Sequence, residues 1–175
     1  MILGMRSDSR SCPNGWFRNG TKCYFFSEEL KTWMDAKLAC EDDGGILVEV
    51  ESKCENDFLK MSASEQWHWL GGTDEQEENV WLWSPSQNLI IFTNWNLEEP
   101  EPNNLNGNEN CLALSSAYEF AWYDGTCNTL LLFICEKVTW NNTYGINLVT
   151  IVNAITDITV NKSEKSSNGR IVIFL

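Results

Sequence analysis

Seven cysteines, at 12, 23, 40, 54, 111, 127 and 135, constrain this chain more than any other feature. None forms a C-x-x-C pair, and the one histidine is His68, so a zinc site built from Cys and His lacks its ligands. Thiols this numerous and this dispersed read as disulfides, hence an oxidising compartment. The odd count leaves one over. Eight of the nine Trp also fall between 12 and 122. The reading is one domain at 12–137, after an N-terminal segment 1–11 and before a C-terminal extension 138–175 with no assigned role. A net charge of −13 argues against nucleic acid, whose binding needs Lys and Arg on phosphates. It suits a surface that gathers cations, or simple solubility. No run approaches the ~20 apolar residues of a membrane span. "MILGMRSDSR" lacks a full signal-peptide core, so the secreted or extracellular location rests on the cysteines, and the natural N-terminus is expected to be missing or atypical.

Local patterns outline an α+β domain. "CPNGWFRNGTKCYFF" reads as a hairpin turning at Asn19-Gly20, with Cys12 and Cys23 placed to staple it. Leu30, Trp33, Met34 and Leu38 recur at helical spacing, and Gly44-Gly45 end that helix. "ILVEV" is a strand. Ser52-x-x-Glu55 is a capping box that opens a second helix. "WHWLGG" and "VWLWS" are strand-like, and "NCLAL", "FAWYD" and "LLLFICE" supply closing strands. Between 84 and about 110 the periodicity fails, and loops that long in compact domains are usually functional or disordered.

Inside that loop, "EPNNLNGNENC" crowds carboxylates and asparagines. With the cysteine framework, "WLGGTDEQEENVWLWS", "NWNLEEPEPN" and Trp122-Tyr123-Asp124-Gly125-Thr126-Cys127, the chain resembles the C-type lectin-like domain over about 12–137. The resemblance implies two helices with small antiparallel sheets and a long calcium-binding loop. It implies the pairs Cys40–Cys135, Cys111–Cys127 and Cys12–Cys23, leaving Cys54 unpaired as either an inert thiol or the link of a disulfide-joined oligomer. Sequence alone allows many more connectivities.

The resemblance also implies a Ca2+ site at Glu101, Asn103, Glu109 and Asp124. Calcium takes about 6–8 hard oxygens, leaving places for two sugar hydroxyls. Each hydroxyl gives a lone pair to the metal, donates to a carboxylate and accepts from an amide, so a Glu/Asn pair serves where two Glu cannot. The family implies a cis Pro102 between them. Glu-Pro-Asn resembles the type that takes equatorial 3- and 4-hydroxyls, as in mannose, glucose, N-acetylglucosamine and fucose, whereas the galactose type carries Gln-Pro-Asp. Tyr123 departs from the family, which has Asn there. It removes an amide oxygen and an N–H donor, and its place is expected to be filled by water or by its ring stacking on a sugar. Asp74, Glu78, Asn104 and Asn110 are candidates for a second calcium.

Trp69, Trp81, Trp83 and Trp95 are expected in the core, and His68 as a surface or hydrogen-bonded residue. No nucleophile–base arrangement is readable, and Glu101 with Glu109 would mimic a glycosidase pair only if calcium did not claim both, so no enzyme is expected. Sequons at Asn19, Asn141 and Asn161 permit N-glycosylation. The rival reading is a lectin-like domain binding a protein partner without calcium, its sugar site weakened by Tyr123.

Overall fold

The computed structural model describes residues 11–115 and 120–139. The first ten residues, the extension beyond Thr139 and the sequons at Asn141 and Asn161 lie outside the described residues. The hairpin comes first. Strand β1 (Phe17–Asn19) pairs with β2 (Lys22–Phe26), and Gly20 makes the turn at φ 60°, which costs glycine little. Cys12–Cys23 ties the approach to β1 onto β2.

Helix α1 (Trp33–Asp42) starts at Thr32, whose side chain accepts the N–H of Asp35. It stops at Gly44, φ 72°, with Gly44 and Gly45 N–H groups on the Glu41 and Cys40 carbonyls. Its buried face is Trp33, Ala36 and Cys40, whereas Leu30, Met34 and Leu38 are 50–55% exposed. The expected stripe is therefore rotated. Trp33 Nε1 on the Leu70 carbonyl (2.8 Å) and the Cys40–Cys135 disulfide fix which side faces inward, and Leu30 precedes the helix.

After β3 (Ile46–Leu47), helix α2 (Lys53–Ser62) is capped by Ser52 as the sequence reads. Glu55 reaches back to the N–H of Glu51, one residue before the cap (2.9 Å). Its other oxygen accepts from Lys22 (2.9 Å) and Tyr24 (2.6 Å), so this carboxylate is buried and shared between helix and sheet.

The remaining strands are β4 (Trp67–Thr73), β5 (Leu82–Trp83), β6 (Cys111–Ser115), β7 (Ala121–Gly125) and β8 (Leu132–Val138). The order is β1-β2-β8-β4-β6-β7, with β3 on β8 and β5 on β4. Pairing is antiparallel except β4 with β8, which is parallel; the strands thus join in one sheet through a pair the sequence did not indicate. The β4–β6 register shifts between Trp69 and Thr73. Gly71 and Gly72 sit in that irregularity. A Cβ on Gly71 would stand 2.8 Å from the Leu47 carbonyl, and one on Gly72 2.7 Å from the Leu112 side chain.

Alternating side chains give the sheet two buried clusters. One holds Leu70, Trp81, Trp83 and Trp122; the other holds Trp33, Trp69, Phe133 and Cys135. Trp95 packs on the first at its partly exposed edge. His68 is 1% exposed and satisfied, with Nδ1 on the Gln66 carbonyl at 2.9 Å. Cys111–Cys127 joins β6 to the turn after β7, and Cys54 is an exposed free thiol.

Candidate functional site

Strand β7, paired to β6 with Asp124 opposite Leu112, is the fixed wall of the site. The loop before β6 folds against it. Asp124 is buried, and its Oδ1 and Oδ2 accept the backbone N–H groups of Asn103 (3.1 Å) and Asn104 (2.7 Å). The Glu101–Pro102 peptide is cis, and Asn103 Nδ2 donates to Glu101 Oε1 at 2.9 Å. Glu109 folds back from the far end. Its Oε2 accepts the N–H of Leu105 (2.9 Å), and its own N–H donates to Asn104 Oδ1 (3.0 Å). The asparagines also serve the backbone. Asn104 and Asn106 hold φ of 44° and 59°, a left-handed region that Asn tolerates better than most residues.

Thus Glu101, Asn103, Glu109 and Asp124 come together on one loop–strand junction. Glu101 is pushed up to about 8 by burial and by the adjacent Asp124 carboxylate, with the charge of Glu109 adding to it. Glu109 is raised by burial and by Asp124, against the opposing Leu105 amide. Glu101 Oε2 is buried with no hydrogen-bond partner among the described residues. Crowded carboxylates with an orphaned oxygen fit a hard divalent cation. They are not clustered tightly as they stand: among the described residues no three His, Cys, Asp or Glu side chains converge as a ready-made metal cage. Both Asp124 oxygens and Glu109 Oε2 accept backbone amides instead.

The second candidate set adjoins the first. Asp74 Oδ2 accepts the N–H of Asn79 (2.9 Å), Oδ1 is buried without a partner among the described residues, and Glu78 Oε2 accepts from Asn104 Nδ2. Burial, opposed by the Asn79 amide, and the charges of Glu78 and Asp124 raise Asp74. Asn110 contributes its carbonyl, which accepts from Thr73 Oγ1 (2.7 Å) and the Asp74 N–H (3.3 Å).

Tyr123 is elsewhere. Strand alternation sends it to the side opposite Asp124. It is 5% exposed, with its ring against Trp67 (centroids 4.9 Å) and its hydroxyl accepting from Asn96 Nδ2. A ring this buried has no face to offer a sugar, which overturns the expectation of stacking. Its role is support: the Asn96 carbonyl accepts the N–H of Glu101 at 3.0 Å, so Tyr123 and Asn96 underlie the start of the loop. Nothing in the sequence marks Asn96 for this role, whereas strand alternation along "AWYDG" is the signal that puts residues 123 and 124 on opposite sides.

Comparisons with known proteins agree on one family. The model described as "Lectin C-type domain" matches residues 29–137. The chain is similar to a perlucin-like protein of Mytilus galloprovincialis, 36% identical over 124 residues, covering 68% of this chain and 78% of that protein. It is similar to lactose-binding lectin l-2 of Anguilla japonica, 34% identical, covering 77% and 81%. Among solved structures, the cow C-type carbohydrate-recognition domain of CD23, determined in the presence of a GlcNAc2Man3 oligosaccharide, superposes with TM-score 0.69 at 31% identity, covering 75% of this chain and 98% of that one.

Proposed function

Because the chain belongs to the C-type lectin domain family, we propose that it is a calcium-dependent lectin for glycans with equatorial 3- and 4-hydroxyls, of the mannose, glucose, N-acetylglucosamine and fucose kind. It is a carbohydrate-recognition domain and not an enzyme. The observation that carries the calcium reading is the junction of Glu101, Asn103, Glu109 and Asp124, with Glu101 Oε2 left without a hydrogen-bond partner among the described residues. Those four side chains would hold the ion, which supplies when bound a hard centre for hydroxyl lone pairs. The chain's own part is directional. Glu101 and Glu109 accept hydroxyl protons, the Asn103 amide donates, and the Asp124 amide bonds hold residues 103 and 104 in place before any ligand arrives. The order Glu101-Pro102-Asn103 favours the mannose type over the galactose type. Asp74, Glu78, Asn104 and Asn110 would form a weaker second site.

The proposed setting is extracellular, on the strength of three disulfides. No helix among the described residues is long and apolar enough to cross a membrane. The exposed Cys54 thiol allows a disulfide-linked pair, which non-reducing electrophoresis would show as a dimer lost in Cys54→Ser.

Calcium titration by calorimetry is the test. Heat at about millimolar calcium, retention on mannose-agarose and release by chelator are the expected results. Neither heat nor a rise in melting temperature would sink the reading. One observation favours the rival, a calcium-independent domain for a protein partner: both Asp124 oxygens already hold backbone amides, and Tyr123 adds no ligand.

A further inference from the structure

The hairpin carries a pattern that the glycan-binding reading does not use. Phe17, Asn19 and Thr21 alternate with Arg18 and Gly20, so residues 17 and 19 project from the same face of β1. Asn19 pairs with Lys22 across the two-residue turn, and Thr21 is exposed. Phe17 is 58% exposed. One side of its ring is buttressed by Phe26, centroids 5.9 Å apart and edge-on. A large aromatic ring held at this angle has more than half of its surface open to water.

We propose that Asn19 is N-glycosylated and that the first N-acetylglucosamine lies on the open face of Phe17. The sequon needs an accessible turn and a hydroxyl two residues on: Gly20 and Thr21 form an exposed turn, Thr21 carries the hydroxyl, and Asn19 is half-buried at the end of β1 beside it. In the transfer the Asn19 side-chain nitrogen bonds to C1 of a lipid-diphosphate-linked oligosaccharide. The C1–O bond to diphosphate breaks, the lipid diphosphate leaves with the electron pair, and the amide loses one proton. Once attached, the sugar starts two residues along the same strand face from the ring. The C–H bonds on one side of a pyranose are weakly positive and meet the negative face of an aromatic ring. The glycan would also be remote from the proposed sugar site, since β1 and β7 are opposite ends of the strand order.

The experiment uses the full chain secreted from eukaryotic cells, with Asn141→Gln and Asn161→Gln to isolate this position. Mass spectrometry of the tryptic peptide should show a glycan on Asn19. Glycans kept in high-mannose form are trimmed to a single N-acetylglucosamine, and the melting midpoint is compared with that of Asn19→Gln. The trimmed protein should melt about 2–6 °C higher. Phe17→Ser or Phe17→Leu, at an exposed position, should erase that difference. An unmodified Asn19 overturns the proposal, and so does a difference that persists in both Phe17 variants. Neither result bears on calcium binding.

Discussion

At Asp124 two backbone N–H groups converge on one carboxylate. Asn of the same shape has one acceptor oxygen and would turn an NH2 towards the second donor. Asp124→Asn should therefore leave one of the Asn103 and Asn104 amides unsatisfied. The expected cost is about 1–3 kcal/mol, with faster hydrogen exchange at those two amides and loss of calcium heat. Tyr123 is the contrasting case. Replacing it by the family's Asn deletes a ring packed on Trp67 and breaks the bond to Asn96. The expectation is a drop of about 3–5 kcal/mol by analogy with other buried aromatics, not a repaired site. Tyr123→Phe keeps the ring and should cost only about 1 kcal/mol. Denaturant titration separates the three variants. In the proposed site, sugar choice would rest on Glu101 and Asn103. Exchanging them as Glu101→Gln with Asn103→Asp reverses donor and acceptor, and on a glycan array preference should move from mannose towards galactose. An unchanged array would refute their role in reading hydroxyls.

Elements were legible where one local rule dominates. Asn19-Gly20 marked the hairpin to within one residue, the turn itself being Gly20-Thr21, Ser52 marked the start of α2, and Gly44-Gly45 marked the end of α1. Each depends on a few neighbouring atoms. The rotation of α1 was not legible, because Leu30, Met34 and Leu38 match helical spacing as well as Trp33, Ala36 and Cys40 do. Only the distant partners Leu70 and Cys135 decide between the faces. The parallel β4–β8 pair is hidden for the same reason, as residues 68 and 132 meet only in the fold. The family resemblance, and not loop composition by itself, pointed to Glu101, Asn103, Glu109 and Asp124 as candidates; nothing in the sequence indicated that Asp124 would be engaged by amides, since backbone donors leave no mark there. The α1 assignment is checkable. Leu38→Gln, on the exposed face, should change stability by no more than about 0.5 kcal/mol. Ala36→Leu, at a fully buried position, should cost about 1–3 kcal/mol by overpacking. The opposite ranking would return the apolar stripe to the core.

Across the whole molecule, acidity outweighs its compensation, and the imbalance reaches the interior. Lys22 Nζ lies 2.9 Å from both Glu55 and Glu136, and Tyr24 donates to Glu55, tying β2, β8 and α2 together. One ammonium cannot neutralise two buried carboxylates. Burial pushes Glu136 up to about 8 despite Lys22, with Glu55 and Glu49 adding repulsion. Lys22 itself is raised by these partners above its ordinary 10.5, against burial, so it stays charged in folded and unfolded chains alike and adds no slope near neutrality. Glu136 does add one. Its unfolded carboxyl loses its proton near 4.5, whereas the folded one keeps it to about 8. Between those values unfolding releases a proton, so stability falls as pH rises and levels off above about 8. Glu49, Asp74, Glu101 and Glu109 are raised too and act in the same direction. His68, lowered by burial, opposes them only on the acid side of its ordinary 6.5. Urea titrations without calcium, from about pH 6 to 9, should therefore show declining stability. Glu136→Gln, which keeps a neutral side chain beside Lys22, should flatten that decline in part. Calcium should flatten the share due to Glu101 and Glu109 if they hold the ion. A decline as steep in Glu136→Gln as in the parent would mean that Glu136 is ionised in the fold, and that Lys22 holds both carboxylates as anions.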